Sequence, residues 1–245
     1  YPSVKSLMAP GALVARVERG IQARLEQTSL SASDWLDLMR PLRVIGKPDE
    51  AVRLGLKAIE RARMDKRSAS PALRLEVANA YADMGEAWAA RRTAKELMKE
   101  QAALPVSLRI AIADLLEKTG DDEGAILLIG TIEGADALPG AQRVVACAAH
   151  DLGRTVRRDD AIGRLEALGD PAIVDRMDAY VCTGLFAKAS QTRVDMYARP
   201  ELRTTAILTS QLYADGSKAG SDLSDLRYRM PALVASNELQ EAIRT

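Results

Sequence analysis

A glycine that recurs at intervals of about one helix pair constrains the fold of this 245-residue chain more than any other feature. The intervals are 39, 35, 33 and 31 residues, and the glycines are Gly46, Gly85, Gly120, Gly153 and Gly184. Each glycine ends a stretch with helical periodicity and precedes a second such stretch. A helix C-terminus commonly needs a left-handed residue, and a tight turn there folds the next helix back antiparallel to the first. The spacing therefore predicts a series of helix pairs.

Prolines mark the starts of helices with a similar period. The successive spacings are 34, 34, 32 and 29 residues, between Pro71, Pro105, Pro139, Pro171 and Pro200. Proline is favoured in the first turn of a helix, where its missing N–H is not needed. Ser70 and Asp170 stand directly before two of these prolines and supply capping side chains. We therefore expect one helix pair for each proline interval.

Small or apolar residues recur at fixed distances from the glycines. Seven residues before them stand Met39, Ala78, Ala113, Ala146 and Met177. Four residues before them stand Leu42, Tyr81, Leu116, Ala149 and Tyr180. Five residues after them stand Ala51, Ala90, Ala125 and Ala189, with Arg158 as the exception. Twelve residues after them stand Ala58, Leu97, Ile132, Leu165 and Met196. These positions are the predicted core.

The period and these marks resemble the tetratricopeptide family. The first pair carries the family's Trp, Leu, Gly and Ala marks at Trp35, Leu38, Gly46, Ala51 and Ala58. The resemblance covers residues 31–198 and implies an all-α fold, a tetratricopeptide-like α-solenoid of about five helix-pair repeats. Capping helices are expected at both ends, in residues 1–30 and 199–245. A generic helical bundle is the alternative fold.

Several residues depart from the family pattern. Pro41 falls inside the first helix, where it is expected to kink the helix. Arg158 and Arg176 interrupt core positions, and residues 154–160 are expected to form a longer turn. After residue 214, residues 215–225 are rich in Gly, Ser and Asp and predict a loop. Residues 226–243 are expected to form either a last helix pair or a mobile tail.

A shorter stretch, residues 14–58, is similar to the repeat domain of the bacterial cytochrome c maturation chaperones. The matching segments are Ala23–Leu25, Asp34–Leu36, Arg43–Gly46 and Glu50–Ala51. The resemblance implies a periplasmic repeat domain on a membrane anchor that holds the C-terminal helix of apocytochrome c. The chain begins at Tyr1 without an initiator methionine, so whether a signal or membrane anchor precedes it is left open. We expect a periplasmic or membrane-anchored protein rather than a cytoplasmic one.

Charge and composition exclude some classes of function. The 34 basic residues are balanced by 34 acidic residues, and there is no basic stripe of the kind that binds nucleic acid. No apolar run reaches the roughly 18 residues that a membrane-spanning helix needs. The two cysteines, Cys147 and Cys182, are too few for a disulfide framework or a multi-cysteine zinc site. The register of the repeats places them about one turn apart on neighbouring helices, so we expect two free thiols.

Catalytic chemistry is not indicated by the sequence. His150 is the only histidine, and no nucleophile motif, phosphate loop or metalloprotease motif accompanies it. The carboxylate pairs Asp121-Asp122 and Asp159-Asp160 are expected to cap helices in turns. We expect no enzyme activity, no cofactor and no metal, although a carboxylate-based active site remains a minor alternative.

The tetratricopeptide resemblance implies a concave groove lined by the first helix of each pair. Transferring the family geometry by phase from each glycine selects polar groove residues: Arg40, Arg43, Asn79, Asp83, Asp114, Glu117, Lys118, Arg143, His150, Asp151 and Asp178. The apolar anchors selected are Leu36, Leu75 and Ile110. Asn79 is the most suggestive polar member, because an inward amide can hold an extended peptide backbone. A complete carboxylate clamp is not present. The same residues are alternatively interpreted as ordinary exposed helix residues.

The function expected from these features is that of a protein-interaction scaffold or adaptor. Its groove would bind a peptide or helix of a protein partner, with the chain acting as an assembly chaperone of the bacterial envelope. We expect Arg40, Arg43 and Arg143 to meet an acidic or C-terminal segment and the apolar anchors to supply most of the affinity. The alternative is a structural repeat protein that self-associates through Leu233, Val234 and Leu239 of the tail.

Overall fold

The structure, a computed structural model, describes residues 10–26, 30–203 and 206, excluding the side chains of residues 10–14 and 101. Every regular element in these residues is a helix, and they contain no strand. The α-helices are α1 (Pro10–Leu25), α2 (Ala32–Val44), α3 (Pro48–Met64), α4 (Pro71–Asp83), α5 (Ala87–Met98), α6 (Val106–Lys118), α7 (Asp122–Gly130), α8 (Pro139–Asp151), α9 (Thr155–Leu168), α10 (Ile173–Cys182) and α11 (Phe186–Ala198). Short 3-10 helices occupy Gln101–Ala103, Ala135–Ala137 and Asp170–Ala172. The expected all-α class is confirmed.

The chain divides into two compact units, Tyr1–Thr93 and Ala94–Thr245, with the boundary inside α5. In the first unit, α2 packs on α3 and on α4, and α1 packs on α2. In the second unit, α6 packs on α7, α8 on α9 and α10 on α11. Helices on the two sides of four of the predicted glycines, Gly46, Gly120, Gly153 and Gly184, therefore pack in adjacent pairs. No described helix has the length and apolarity needed to span a membrane.

The five predicted glycines all adopt left-handed backbone, with φ between 68° and 81°. The N–H of each glycine donates to the carbonyl three residues earlier. The next N–H donates to the carbonyl four residues before the glycine, in the pairs Lys47→Leu42, Glu86→Tyr81, Asp121→Leu116, Arg154→Ala149 and Leu185→Tyr180. The donor–acceptor distances of these five bonds lie between 2.7 and 2.9 Å. This is the Schellman motif, repeated five times in one form.

The positions predicted from the glycine phase form much of the core. The residues seven before each glycine, from Met39 to Met177, have no exposed surface at all. The alanines five residues after the glycine are equally buried. Tyr81 is only partly buried, packed against the first unit's core cluster. The phase therefore predicts the buried positions correctly at nearly every site.

Helix starts follow the prolines with small shifts. Pro71 and Pro139 are the first residues of α4 and α8, and the Ser70 hydroxyl accepts the Leu73 N–H at 3.2 Å. Pro105 stands one residue before α6. Pro171 lies in a 3-10 helix ahead of α10. The prolines thus mark helix starts, as expected.

Two sequence expectations about turns are wrong. Helix α9 begins at Thr155, two residues after Gly153, so residues 154–160 do not form a longer turn. Asp159 and Asp160 consequently lie inside α9 rather than in a turn, because this charged run belongs to the largely exposed N-terminal part of a helix. Asp121 does act as a helix cap, accepting the Gly124 N–H at 3.1 Å. Pro41 stands inside α2, which continues through it to Val44.

The N-terminal helix α1 packs on the core of the first unit, as expected for a capping helix. Ile21 belongs to the buried cluster formed with α2, α3 and α4, and Val17 and Leu25 pack against that cluster. Lys47 forms an ion pair with Glu18 of α1, and its Nζ also lies 3.1 Å from Glu50 Oε1. The expected loop and tail at residues 215–243 lie outside the described residues.

The expectation of two free thiols is wrong. Cys147 on α8 and Cys182 on α10 form a disulfide, with Cα atoms 5.5 Å apart. The expectation assumed that the glycines of neighbouring pairs lie at one level. In the structure α10 is shifted by four residues, about one turn, so that Cys182 reaches the level of Cys147. Ala146, Ala148 and Ala179 are fully buried beside the cysteines, and such small side chains let the two helices approach closely.

We expect the disulfide to stabilise the second unit by about 4 kcal/mol, because it joins residues 35 apart and restricts the unfolded chain. A Cys147→Ala/Cys182→Ala variant should show a correspondingly lower free energy of unfolding in urea. The control is the wild-type protein with and without reductant. Two alkylated thiols in the native, unreduced protein would contradict the bond.

A second prediction concerns close helix packing at Gly55 of α3. A Cβ there would lie 2.3 Å from Val77 Cγ2 and 2.7 Å from Met39 Cε. Gly55→Ala should therefore lower the free energy of unfolding by about 1–3 kcal/mol through overpacking. Gly163 of α9 has no atom within 4 Å of its ideal Cβ, so Gly163→Ala is the matched control. That control should raise stability by about 0.5–1 kcal/mol, and equal losses in both variants would contradict the packing.

Candidate binding surface

The first helices of successive pairs pack side by side within each compact unit. Helix α2 packs on α4 in the first unit, while α8 packs on both α6 and α10 in the second. The polar groove residues predicted from the sequence come from these helices. Because they belong to two units, the residues are described in two groups.

In the first unit, Arg43 joins α2 to α4. Its Nη1 donates to Glu76 Oε1 at 2.7 Å, and its Nε donates to Asp83 Oδ2 at 2.5 Å. Burial opposes the positive charge, but the carboxylates of Asp83 and Glu76 raise the pKa of Arg43 above its ordinary value. Two of the predicted groove residues, Arg43 and Asp83, are thus engaged with each other.

The remaining predicted residues of the first unit differ in accessibility. Arg40 is exposed, with its Nε 3.8 Å from Glu76 Oε2. Asn79 is half-buried on α4. Leu75, predicted as an apolar anchor, is 4% exposed and belongs to the core, whereas Leu36 is half-buried. Leu75 therefore offers almost no surface to a partner.

In the second unit, Arg143 of α8 lies at the centre of an acidic cluster, which we define as Asp114, Glu117, Asp175 and Asp178 with Arg143 and Lys118. Arg143 Nη2 donates to Asp114 Oδ1, and Arg143 Nε lies 3.7 Å from Asp175 Oδ1. Lys118 Nζ donates to Asp114 Oδ2 at 2.7 Å. Three first helices thus contribute charged groups to one location.

Burial and neighbouring charges shift the pKa values of the carboxyl groups in the acidic cluster in different directions. Burial raises the pKa of Glu117 to about 8, against the opposing effect of Arg143. Burial also raises the pKa of Asp178 to about 6, again opposed by Arg143. Asp114 is also buried, but Arg143 and Lys118 hold its pKa well below the usual range. At neutral pH Glu117 is therefore mostly protonated and Asp114 ionised.

Arg143 keeps its charge in this environment. Burial opposes that charge, but the carboxylates of Asp114, Glu117 and Asp178 raise the pKa of Arg143. Its side chain is 10% exposed, and its Nη1 is buried without a hydrogen-bond acceptor among the described residues. The acidic cluster thus holds four carboxyl groups against the two cations Arg143 and Lys118.

Three other predicted residues of the second unit are Ile110, His150 and Asp151. Ile110 is half-buried, and its Cγ2 lies 3.3 Å from the position that a Cβ on Gly140 would take. His150 is half-buried and Asp151 exposed at the C-terminal end of α8. The structure therefore brings together Asp114, Glu117, Lys118, Arg143 and Asp178 of the prediction.

Sequence reasoning missed Glu76 and Asp175, both of which contact a central arginine. A usable signal exists for Glu76, because Glu76 and Asp83 are seven residues apart and so lie on one face of a helix. Asp175 stands three residues before Asp178, which gives the same kind of signal on α10. Neither residue stands at a distance from its glycine at which the glycine alignment places groove residues.

Comparisons with protein-family models, with curated proteins and with solved structures find no match to this chain. In residues 10–26, 30–203 and 206, no three His, Cys, Asp or Glu side chains come together in a way that would hold a metal ion. Any function is therefore inferred from the geometry of the chain itself.

The elevated pKa of Glu117 predicts how stability depends on pH. The folded state holds a proton that the unfolded chain releases near pH 4.5, so this contribution is complete below that pH and is lost as pH rises toward 8. Wild-type protein should lose about 3 kcal/mol of unfolding free energy between pH 5 and 8. Glu117→Gln should flatten the dependence in urea titrations across that range.

Glu133→Gln provides the control for this measurement, because Glu133 is exposed between α7 and the following 3-10 helix. That variant should retain the wild-type slope of stability against pH. An unchanged slope in Glu117→Gln would contradict the assignment of the buried proton to Glu117.

Proposed function

We propose that this chain is a protein-interaction scaffold whose helix pairs form a tetratricopeptide-type array and whose first helices bind a peptide or helix of a partner. The five identical glycine turns and the packing of helices in adjacent pairs support this proposal. So does the side-by-side packing of first helices within each unit, since it creates a surface to which several helices contribute.

The acidic cluster is the observation that carries the proposal. The Asp175 side chain is 32% exposed at the edge of the cluster, and Asp178 beside it on α10 is half-buried. Arg143 already has carboxylate partners within the chain, as Arg43 has in the first unit. We therefore propose a basic partner segment at this surface, rather than the acidic segment that the sequence alone led us to expect.

Apolar contacts are proposed to supply most of the affinity. Solvated ion pairs contribute at most about 1 kcal/mol each, whereas buried anchors dominate the energetics of interfaces. Half-buried Ile110 lies on α6, the helix that also carries Asp114 and Glu117, and is the proposed apolar contact in the second unit. The charges then determine which segment is accepted and in which orientation.

Selection from a displayed peptide library on the folded, disulfide-intact protein tests this function. We expect enriched peptides to combine Lys or Arg with apolar residues. Asp175→Asn/Asp178→Asn should weaken binding of the selected peptides about three- to tenfold, because about 1 kcal/mol of charge interaction is lost. Raising the salt concentration should slow association of wild-type protein more than it speeds dissociation.

The matched control is Glu133→Gln/Asp159→Asn, which removes two exposed carboxylates elsewhere in the second unit. It should leave the affinity of the selected peptides unchanged. Selected peptides that lack basic residues, or that bind both double variants equally, would contradict a basic partner at the acidic cluster.

A further inference from the structure

A second candidate site lies away from the acidic cluster, in a pocket among α7, α8, α9 and the 3-10 helix at Ala135–Ala137. The pocket has a volume of about 390 Å³, at the small end of the roughly 300–1,000 Å³ typical of ligand sites. Its apolar lining includes the buried side chains of Ile129, Ile132 and Val145. Polar groups make up more of the pocket surface than apolar ones, so its apolar part suits only a small hydrophobic group.

Gln142 gives this pocket a specific polar group. It is 2% exposed and lines the pocket, and its Nε2 donates to the Ala135 carbonyl at 3.0 Å. That hydrogen bond fixes the orientation of the amide. The opposite atom, Oε1, is buried and accepts no hydrogen bond from the described residues. A buried acceptor without a donor costs about 1–3 kcal/mol, so a donor supplied by a ligand would be stabilising.

The charged residues of the pocket divide into a paired and an unpaired set. Arg164 of α9 forms an ion pair with Asp136. Arg157 and Asp160 also line the pocket and are exposed, and neither makes an ion pair with any residue that the structure describes. A guanidinium group is therefore available for a carboxylate, which it can bind through two N–H donors.

We propose that this pocket binds an α-carboxylate that carries an N–H donor and an apolar side chain. This chemistry belongs to a free apolar amino acid and to the C-terminal residue of a peptide. The carboxylate is received by Arg157, the N–H donates to Gln142 Oε1, and the side chain contacts Ile129, Ile132 and Val145. An ammonium group, where the ligand has one, is neutralised by Asp160.

The proposal does not depend on the function assigned to the acidic cluster. The two sites share no residue, and the pocket uses the second helices α7 and α9 in addition to α8. Failure of ligand binding here would leave the peptide selection at the acidic cluster unaffected, and the reverse also holds.

Titration calorimetry on the intact protein tests the pocket with four probes. L-leucine and N-acetyl-L-leucine represent the free amino acid and the peptide terminus, and at least one of them should bind. Leucinamide lacks the carboxylate, and 4-methylpentanoate lacks the N–H donor. Each should bind at least about tenfold more weakly than the better of the first two, because each loses one charge-assisted or buried hydrogen bond. A preference for N-acetyl-L-leucine identifies the peptide terminus, and a preference for L-leucine identifies the free amino acid.

Arg157→Ala should weaken the better probe at least about tenfold, since it removes the proposed carboxylate receptor. Arg158→Ala is the matched control, because Arg158 is its neighbour on α9, pairs with Asp159 and does not line the pocket. That control should bind as wild type does. The proposal is overturned if no probe binds at millimolar concentration, which would leave Gln142 Oε1 to a water molecule. It is also overturned if leucinamide binds as well as L-leucine, or if Arg157→Ala binds as wild type does.

Discussion

The hydrogen bond from the residue after each glycine to the carbonyl four residues before it determines how the second helix leaves the first. It forms only when the glycine is left-handed, which costs an L-residue with a Cβ about 1–2 kcal/mol. All five turns have this form, and the helices on the two sides of Gly46, Gly120, Gly153 and Gly184 pack on each other. The alanines that stand five residues after four of the glycines are fully buried. The buried positions of the core therefore recur with the same spacing as these five backbone hydrogen bonds.

Charge between the first helices has a different role from the apolar core. Removing an arginine and a carboxylate from water is expensive, and well-packed apolar residues often give equal or greater stability. The ion pairs of Arg43 therefore contribute mainly by fixing the position of α2 relative to α4. It bonds two carboxylates seven residues apart on α4, so it restricts both the rotation and the sliding of α2 against α4. Arg143 is held in the same manner between α6 and α10.

Local chemistry explains how much of the fold the sequence predicts. Left-handed glycines, helix-starting prolines and small core residues act within one or two turns, so the helix pairs and the buried positions can be read directly. The relative shift of neighbouring helices depends instead on side chains from different pairs. The glycine phase alone therefore placed Cys182 one turn away from Cys147. It also selected Leu75 as a groove residue, although the side chain lies in the core. The charged run at residues 157–160 could not be assigned from composition, because an exposed part of a helix and a polar loop contain similar residues.

The disulfide changes the topology of the second unit as well as its packing. The backbone from Cys147 to Cys182, closed through the two sulfur atoms, forms a covalent ring that contains all of α9. Cleavage of the backbone at one point within this ring leaves the two fragments attached, so α8 and α10 stay connected after a protease has cut between them. Release of the C-terminal part then requires both a cut and a reductant. An oxidising surrounding keeps such a bond closed, and there the ring protects this part of the chain from loss by a single nick.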